Sequence, residues 1–290
     1  MQKVSDILPF YLNELLGYYH ENEIKSFAYL SIDFYLNMTR SDTILYCDNL
    51  LSDRDLSKLY SVIDSLKKNK PIQYIFNSTE FYGNKIYCDT NVLIPRQETE
   101  ELVKWIITDN LGSKKRYLDI GTGSGCIIIS LYLKLEGFFK GVDVCNDSIN
   151  VAIKNAKDNS ADISFQQFDV LYNKTTNTQN YNNLIDDKYD VIVSNPPYVL
   201  NNEKFRLNKN VIDWEPEIAL FVPDNDPLIF YKKIIEISTF ILNKNGIIYF
   251  EINEKYGKEI ILLLKDSGFV NIELKKDIND KDRMIKAILK

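Results

Sequence analysis

A glycine-rich segment of the sequence combines residue types that can bind a small molecule. It begins with Asp119 and contains three alternating glycines with hydroxyl side chains between them: Gly121, Thr122, Gly123, Ser124 and Gly125. Glycines allow a tight turn and let a ligand lie directly against the main chain. The strict dinucleotide-binding pattern GxGxxG would place a further glycine at position 126, where this chain has Cys126. The segment therefore predicts a ligand-binding loop, and the departure at 126 weakens a pyrophosphate-binding interpretation.

Two carboxylates follow the next two predicted strands. Asp143 lies 22 residues beyond Gly121, and Asp169 ends the strand after that. A carboxylate at a strand end can accept hydrogen bonds from the two hydroxyls of a ribose. Because parallel α/β sheets bind ligands at the carboxyl ends of their strands, we expect the two carboxylates and the loop to form one site.

A second motif, Asn195-Pro196-Pro197-Tyr198, directly follows an apolar strand. The two prolines fix φ and remove two N–H donors, so the turn is stiff and presents the Pro196 carbonyl as an acceptor. With the side-chain carbonyl of Asn195, this carbonyl could hold both hydrogens of a planar NH₂ group. Tyr198 is expected to wall the pocket with its ring and hydroxyl.

Composition excludes several other chemistries. The 290 residues include 35 Lys and Arg against 41 Asp and Glu, a net charge of −6, and one histidine, His20. A single histidine argues against a Ser/His/Asp triad or a multi-histidine metal site, so we expect no metal. The acidic balance argues against stable nucleic-acid binding. No leader or long apolar run is visible, which predicts a cytoplasmic protein without membrane association, and four cysteines without a CxxC pair predict free thiols.

The helices and strands predicted around these motifs divide the chain into three parts. Three- and four-residue apolar spacing predicts a helical domain over 1–72, with a helix start at Ser52 and Asp53. A β-hairpin linker with a turn signal at Gly83-Asn84 is predicted over 73–97, and a catalytic domain over 98–290. The stretch 172–187 is rich in Asn and Thr and predicts an exposed loop.

Within the last part, short apolar strands alternate with helices, which predicts a mostly parallel α/β sheet. The final two strands are joined by a short polar loop and should pair antiparallel at one end of that sheet. The predicted strands are 116–120, 138–143, 163–168, 189–194, 246–251, 270–275 and 284–289, and the predicted helices are 98–107, 126–135, 148–157 and 228–242.

Taken together, the loop, Asp143 and the Asn195-to-Tyr198 motif resemble class I S-adenosylmethionine-dependent methyltransferases that act on an amide or exocyclic amino nitrogen. Further segments resemble the release factor glutamine methyltransferase family over essentially the whole chain: Pro71 to Tyr74, Glu80-Phe81, Leu93 to Arg96, Glu98 to Glu100, Glu215-Pro216 and Ala219-Leu220. The chain departs from the family pattern at Gln97, where proline is usual, and at Val170, where some members have an aromatic residue.

This resemblance implies a seven-stranded sheet in the order 3-2-1-4-5-7-6 with an antiparallel last strand. It implies S-adenosylmethionine as cofactor and class I peptide chain release factors as substrate, methylated on the glutamine of a Gly-Gly-Gln motif. The implied catalytic residues are Asn195, Pro196, Pro197 and Tyr198. The implied cofactor-binding residues are Asp119, Gly121, Thr122, Gly123, Ser124, Gly125, Asp143, Asp169, Val170 and Asn195.

Two other functions are compatible with the same motifs. An adenine-N6 methyltransferase for DNA or RNA would need the same NH₂ pocket, with a flipped base against Tyr198. A non-catalytic ribosome- or factor-binding protein could retain the methyltransferase fold. The net charge of −6 disfavours the first, and intact Asp143 and Asn195 disfavour the second.

Overall fold

The computed structural model describes residues 1–171 and 187–290. Its described residues form two compact units, one of residues 1–77 and 208–214 and the other from the ranges 78–207 and 215–290. The predicted Asn- and Thr-rich loop at 172–187 lies, apart from Asp187, outside the described residues. The assignment of a recognition domain, a hairpin linker and a catalytic domain to 1–72, 73–97 and 98–290 stays a prediction.

The first unit is helical, as its apolar spacing predicts. Its helices are Ile7–Leu15 (α1), Glu21–Leu36 (α2), Asp42–Leu45 (α3), Asp53–Leu66 (α4), Ile72–Phe76 (α5) and Lys209–Trp214 (α9), preceded by a 3₁₀ turn at Val4–Asp6. Ser52 caps α4 by accepting a hydrogen bond from the Asp55 N–H, which confirms the predicted start of that helix. His20 precedes the first residue of α2 and makes no side-chain capping bond. Helices α1, α2, α4 and α5 share one apolar core, which includes Ile7, Leu15, Ile24, Val62 and Ile63.

The hairpin consists of Thr79–Phe81 (β1) and Asn84–Ile86 (β2), paired antiparallel. Its turn residues are Tyr82 and Gly83, with φ of 50° and 75°. The predicted turn at Gly83-Asn84 is thus wrong by one residue, because Asn84 already pairs with Phe81. A two-residue turn of this kind needs positive φ at both central positions, and here Tyr82 takes the first of them.

The second unit is built on a seven-stranded sheet. Its strands in chain order are Lys115–Ile120 (β3), Gly137–Asp143 (β4), Ser164–Gln167 (β5), Tyr189–Ser194 (β6), Leu242–Glu251 (β9), Phe269–Lys276 (β10) and Asp282–Leu289 (β11). The order across the sheet is β10-β11-β9-β6-β3-β4-β5, and only β11 runs against the rest. Counted within this sheet, that is the order 3-2-1-4-5-7-6, so the predicted class I methyltransferase fold is confirmed.

Helices cover both faces of the sheet. They are Gln97–Asn110 (α6), Cys126–Tyr132 (α7), Asn146–Asp158 (α8), Ile229–Ile241 (α10) and Gly257–Asp266 (α11). Successive strand residues point to opposite faces. Tyr117, Val191 and Tyr249 pack in the core with α6 and α7, whereas their neighbours Leu118, Ile192 and Phe250 pack in the core with α10 and α11. This double covering explains why the central strands are apolar throughout.

Three features go beyond the predicted elements. Strand β9 begins at Leu242, four residues before its predicted start. Helix α11 was not predicted. A small two-stranded parallel sheet follows the Asn195 motif, formed by Val199–Leu200 (β7) and Phe221–Val222 (β8), with 3₁₀ turns at Asn201–Arg206 and Glu217–Ala219.

Candidate functional site

The glycine loop joins β3 to α7 at the carboxyl end of the sheet. Gly121, Gly123 and Gly125 have φ of 75°, 54° and 79°, a region that side-chain-bearing residues rarely adopt. A Cβ added at Gly121 or Gly123 would meet no atom within 4 Å, so the main chain here faces open space. At Gly125 a Cβ would lie 3.1 Å from Ile129, where the loop packs against its own helix. The first two glycines therefore leave room for a ligand against the backbone.

Asp143 holds the loop in place from the end of β4. Its Oδ2 accepts a hydrogen bond from the Gly123 N–H at 2.9 Å, and its Oδ1 accepts one from the Cys145 N–H, also at 2.9 Å. Burial raises the pKa of the Asp143 carboxyl, against the lowering effect of these backbone donors. A carboxylate has about four acceptor positions, so Asp143 can still accept from ligand hydroxyls.

Asp119 is the last but one residue of β3 and is fully buried. Its Oδ2 accepts a hydrogen bond from the Thr122 hydroxyl at 2.7 Å, which ties the strand to the loop. Its Oδ1 has no partner among the described residues. Burial, together with the nearby charge of Asp143, raises the pKa of Asp119 to about 7.

One cavity of about 270 Å³ lies at this edge of the sheet and brings both motifs together. The predicted residues that line it are Gly121, Thr122, Gly123, Ser124, Asp143, Asp169, Val170, Asn195, Pro196 and Pro197. Three predicted site residues do not line it: Asp119, Gly125 and Tyr198. The first two lie in the glycine loop segment itself and act on its conformation.

The Asn195 motif follows β6 directly, so the rigid central strand sets its position. Asn195 lines the cavity, and its Nδ2 donates to the Thr99 hydroxyl at 3.2 Å. Ser194 donates to the Ile120 carbonyl at 2.6 Å and fixes the end of β6 against the end of β3. The motif and the glycine loop are thus anchored on neighbouring strands.

Tyr198 was predicted to line the cavity and does not. Its hydroxyl donates to Glu251 Oε1 at 3.1 Å and is buried, and its main-chain carbonyl accepts a hydrogen bond from Asn253. Burial beside Glu251 raises the pKa of this phenol. Tyr198 therefore does not wall the cavity as expected, because its side chain packs against the core of the sheet unit and its hydroxyl contacts Glu251.

Other lining residues come from segments whose roles the sequence did not reveal. Arg96 and Thr99, at the start of α6, line the cavity, as do Ile218 and Phe230. The Arg96 guanidinium donates to Glu215 Oε1 at 2.5 Å, and the side chain of Glu215 is only 1% exposed. This ion pair joins two segments that are 119 positions apart, so no local sequence pattern indicates the contact.

The residues that line the cavity have the chemistry to hold S-adenosylmethionine. The open space against Gly121 and Gly123 would take the amino-acid part, and Asp143 supplies acceptors for ribose hydroxyls. Apolar walls suited to a flat base are supplied by Val144, Phe168, Val170 and Leu171. Asp169, whose Oδ1 accepts from the Leu171 N–H, places a further polar group beside those walls.

Residues 1–171 and 187–290 contain neither a cluster of metal ligands nor a membrane-spanning helix. In these ranges no group of three or more His, Cys, Asp and Glu side chains is arranged to hold a metal ion. No helix in the same ranges has the length and apolarity needed to cross a membrane. Cys47, Cys88, Cys126 and Cys145 are all free thiols.

The chain is similar in sequence to known methyltransferases. A family model described as a methyltransferase domain matches residues 111–289. The chain is 45% identical to the release factor glutamine methyltransferase of Flavobacterium psychrophilum over 282 residues, 96% of each chain. It is 38% identical to the enzyme of the same name from Bacteroides thetaiotaomicron over 285 residues, 98% of this chain and 99% of that one.

Among solved structures, the chain resembles a methyltransferase from Pyrococcus furiosus with a TM-score of 0.51 at 15% identity. The match covers 78% of this chain and 96% of that one. At this level of identity the likeness supports the fold alone.

Proposed function

The chain belongs to the release factor glutamine methyltransferase family, whose members depend on S-adenosylmethionine, and we propose that it methylates class I peptide chain release factors. The acceptor in this proposal is the side-chain amide nitrogen of the glutamine in the Gly-Gly-Gln motif. The reaction class follows from the family, the Gly-Gly-Gln motif is the one that the resemblance to this family implies, and the residue roles are inferred from the site.

The observation that carries the proposal is that a single cavity receives both motifs. Gly121, Gly123 and Asp143 line one part of it, and Asn195 and Pro196 line another. A cofactor held by the first group would therefore share a cavity with an amide held by the second. A methyl transfer needs this proximity, because two bound reactants in correct orientation react as one unit.

S-adenosylmethionine, when bound, supplies an electrophilic methyl group on a sulfonium centre. The residues that would hold it are those whose contacts fit its parts, namely the glycine loop, Asp143, Asp169 and Val170. Asp119 would act indirectly, through its hydrogen bond with Thr122 in the loop.

Asn195 and Pro196 would orient the acceptor amide. An amide nitrogen is a weak nucleophile, so its lone pair must be aimed at the methyl group. We assign the two amide hydrogens to the Asn195 Oδ1 and the Pro196 carbonyl, with Pro197 keeping the turn rigid. The nitrogen becomes more positive in the transition state, which strengthens both hydrogen bonds and so lowers the barrier.

Positioning carries the reaction because a suitable base is missing from the cavity. Among its described lining residues, the carboxyl side chains are Asp143 and Asp169, which belong to the cofactor part, and no histidine is present. Attack on the methyl group leaves the amide nitrogen positively charged and still bearing both hydrogens. This cation is acidic enough to release one proton to water. A glutamate side chain would be rejected, since a carboxylate has no hydrogens for the two acceptors.

We also propose that the helical unit recognises the release factor. Three large apolar side chains within seven residues of this unit are strongly exposed: Ile44, Leu45 and Leu50, at 75%, 74% and 76%. Clustered exposed apolar residues are typical of protein-binding surfaces. The acidic net charge supports a protein substrate over DNA or RNA.

The proposal is tested by incubating the chain with S-adenosylmethionine and a purified class I release factor and measuring S-adenosylhomocysteine release. Product should form with the Gly-Gly-Gln factor and not with a factor carrying Glu or Ala at the glutamine. Equal turnover with all three factors would refute the assigned acceptor.

A further inference from the structure

Thr99 and Glu251 form a polar pair behind the Asn195 motif. Thr99 lies in the first turn of α6, and Glu251 is the last residue of β9; they are 3% and 1% exposed. The Thr99 hydroxyl donates to Glu251 Oε2 at 2.6 Å. The same hydroxyl oxygen accepts from Asn195 Nδ2 at 3.2 Å. A chain of two hydrogen bonds therefore leads from a buried carboxylate to the side chain that lines the cavity.

The direction of this chain is fixed by the carboxylate. Glu251 accepts at both oxygens, from Thr99 at one and from the Tyr198 hydroxyl at the other, which suits its ionised form. The Arg283 guanidinium donates to the neighbouring Ile252 carbonyl at 3.1 Å and lies close enough for its charge to favour that form against burial.

An ionised carboxylate only accepts, so the single hydroxyl hydrogen of Thr99 points to Glu251. Toward Asn195, Thr99 can therefore act only as an acceptor. The Asn195 atom that faces it must be the NH₂ group, and the carbonyl Oδ1 is left to face elsewhere.

This direction matters because a carboxamide has nearly the same shape in its two orientations. In one orientation Asn195 would offer Oδ1 to a substrate NH₂ group, and in the other it would offer two N–H donors that repel it. Only the first orientation can serve the reaction. In the absence of a partner for Nδ2, both orientations would be populated, and part of the enzyme would be unable to bind the acceptor amide productively.

We propose that Thr99, itself oriented by Glu251, is a positioning residue that locks the carboxamide of Asn195 with its oxygen toward the acceptor amide. The inference rests on the proposed function for its catalytic consequence, whereas the locked orientation is a property of the protein alone. Tyr198 contributes from the far side by occupying the second oxygen of Glu251.

The test compares Thr99→Val, which removes the hydroxyl at nearly constant volume, with Thr99→Ser, which keeps it. We expect Thr99→Val to lower kcat for release-factor methylation about tenfold, the scale of one lost hydrogen bond, with the Kd for S-adenosylmethionine unchanged. Thr99→Ser should retain a kcat within about twofold of the parent. In an Asn195→Ala background, Thr99→Val should cause no further loss, because the two residues act as one unit.

A second measurement is independent of methyl transfer. The ¹⁵N-labelled side-chain NH₂ resonances of Asn195, assigned by their loss in Asn195→Ala, should show one hydrogen protected from exchange with solvent. Protection should disappear in Thr99→Val and persist in Thr99→Ser. If Thr99→Val leaves that protection unchanged, or if its effect on kcat adds fully to that of Asn195→Ala, the inference is overturned. A parent enzyme that shows the protection but does not methylate the factor would instead overturn the proposed function and leave the locked orientation standing.

Discussion

Asp119→Asn should make the stability of the sheet unit less dependent on pH. Asp119 is fully buried, and one of its oxygens has no partner among the described residues. Burial raises its pKa from 3.8 to about 7. Because the folded-state pKa lies above the unfolded one, the protonated carboxyl favours the folded state. This stabilisation is lost as the pH rises from about 3.8 to about 7. Asparagine keeps the shape and cannot ionise.

The magnitude follows from the size of the shift. As the pH falls from 8 to 5, the free energy of unfolding of the parent rises by about 1.36 kcal/mol for each pH unit below the folded-state pKa of about 7. Over the roughly two units from pH 7 to pH 5, this amounts to roughly 3 kcal/mol. The free energy of unfolding of Asp119→Asn, measured relative to that of the parent, should therefore fall by about 3 kcal/mol as the pH is lowered from 8 to 5. The other buried carboxyls with raised pKa, Asp143 and Glu251, are present in both proteins and largely cancel in the difference.

Urea unfolding without cofactor at pH 5 and pH 8 measures this difference. Trp105 is buried in the sheet unit, so its fluorescence in a Trp214→Phe background reports the unit that contains Asp119. Asp169→Asn, at an exposed carboxyl, is the matched control and should behave like the parent. A stability gap for Asp119→Asn that stays constant between the two pH values would refute the argument from burial.

Three further predictions concern ligands and partners. Asp143→Ala should weaken the Kd for S-adenosylmethionine about 10- to 100-fold, since it removes charge-assisted hydrogen bonds and frees the Gly123 and Cys145 N–H groups; an unchanged Kd in calorimetry would contradict the proposed ribose contact. The double variant Ile44→Ser, Leu45→Ser should raise KM for the release factor at least tenfold with S-adenosylmethionine binding unchanged, and an unaltered KM would remove these exposed residues from the recognition surface. Labelled methyl groups should not appear in DNA or RNA under conditions that saturate transfer to the release factor, and label found only in nucleic acid would favour the adenine alternative.

The sheet could be predicted well from sequence because its signal is local. Each central strand contains a short apolar run, and the alternation with helices determines a parallel arrangement. Strand β6, at Tyr189–Ser194, has the predicted bounds. The polar start of β9 was missed, since Asn243 to Asn245 interrupt the apolar pattern and Asn245 has a positive φ of 64°.

The candidate site was predictable only in part, for a physical reason. Glycines and strand-end carboxylates carry their role in their own local geometry, so Gly121, Gly123 and Asp143 were found. Contacts between distant segments have no such signal: Thr99 and Glu251 are 152 positions apart and meet only in the folded chain. A polar residue at the end of the apolar strand β9 was the one available hint for Glu251, because the same pattern had identified the carboxylate at the end of β4.

The position of the Tyr198 side chain could not be predicted from the sequence either. Tyr198 was expected against the cavity, and its hydroxyl instead contacts Glu251. Pro196 and Pro197 predict a stiff turn, but the position of Tyr198 after it depends on Glu251 of strand β9 and on Asn253.

In the proposed function, the chain methylates one particular glutamine through the acceptors of the Asn195 motif. The most direct measurement is the mass of the peptide that contains the Gly-Gly-Gln motif, after incubation of a release factor with the enzyme and S-adenosylmethionine. We predict a gain of one methyl group, about 14 Da, confined to that glutamine, with the initial rate about a hundredfold lower in Asn195→Ala while the cofactor Kd is retained. An unmodified peptide or a methyl group on another residue would contradict the proposed acceptor, and full activity in Asn195→Ala would contradict the role of Asn195.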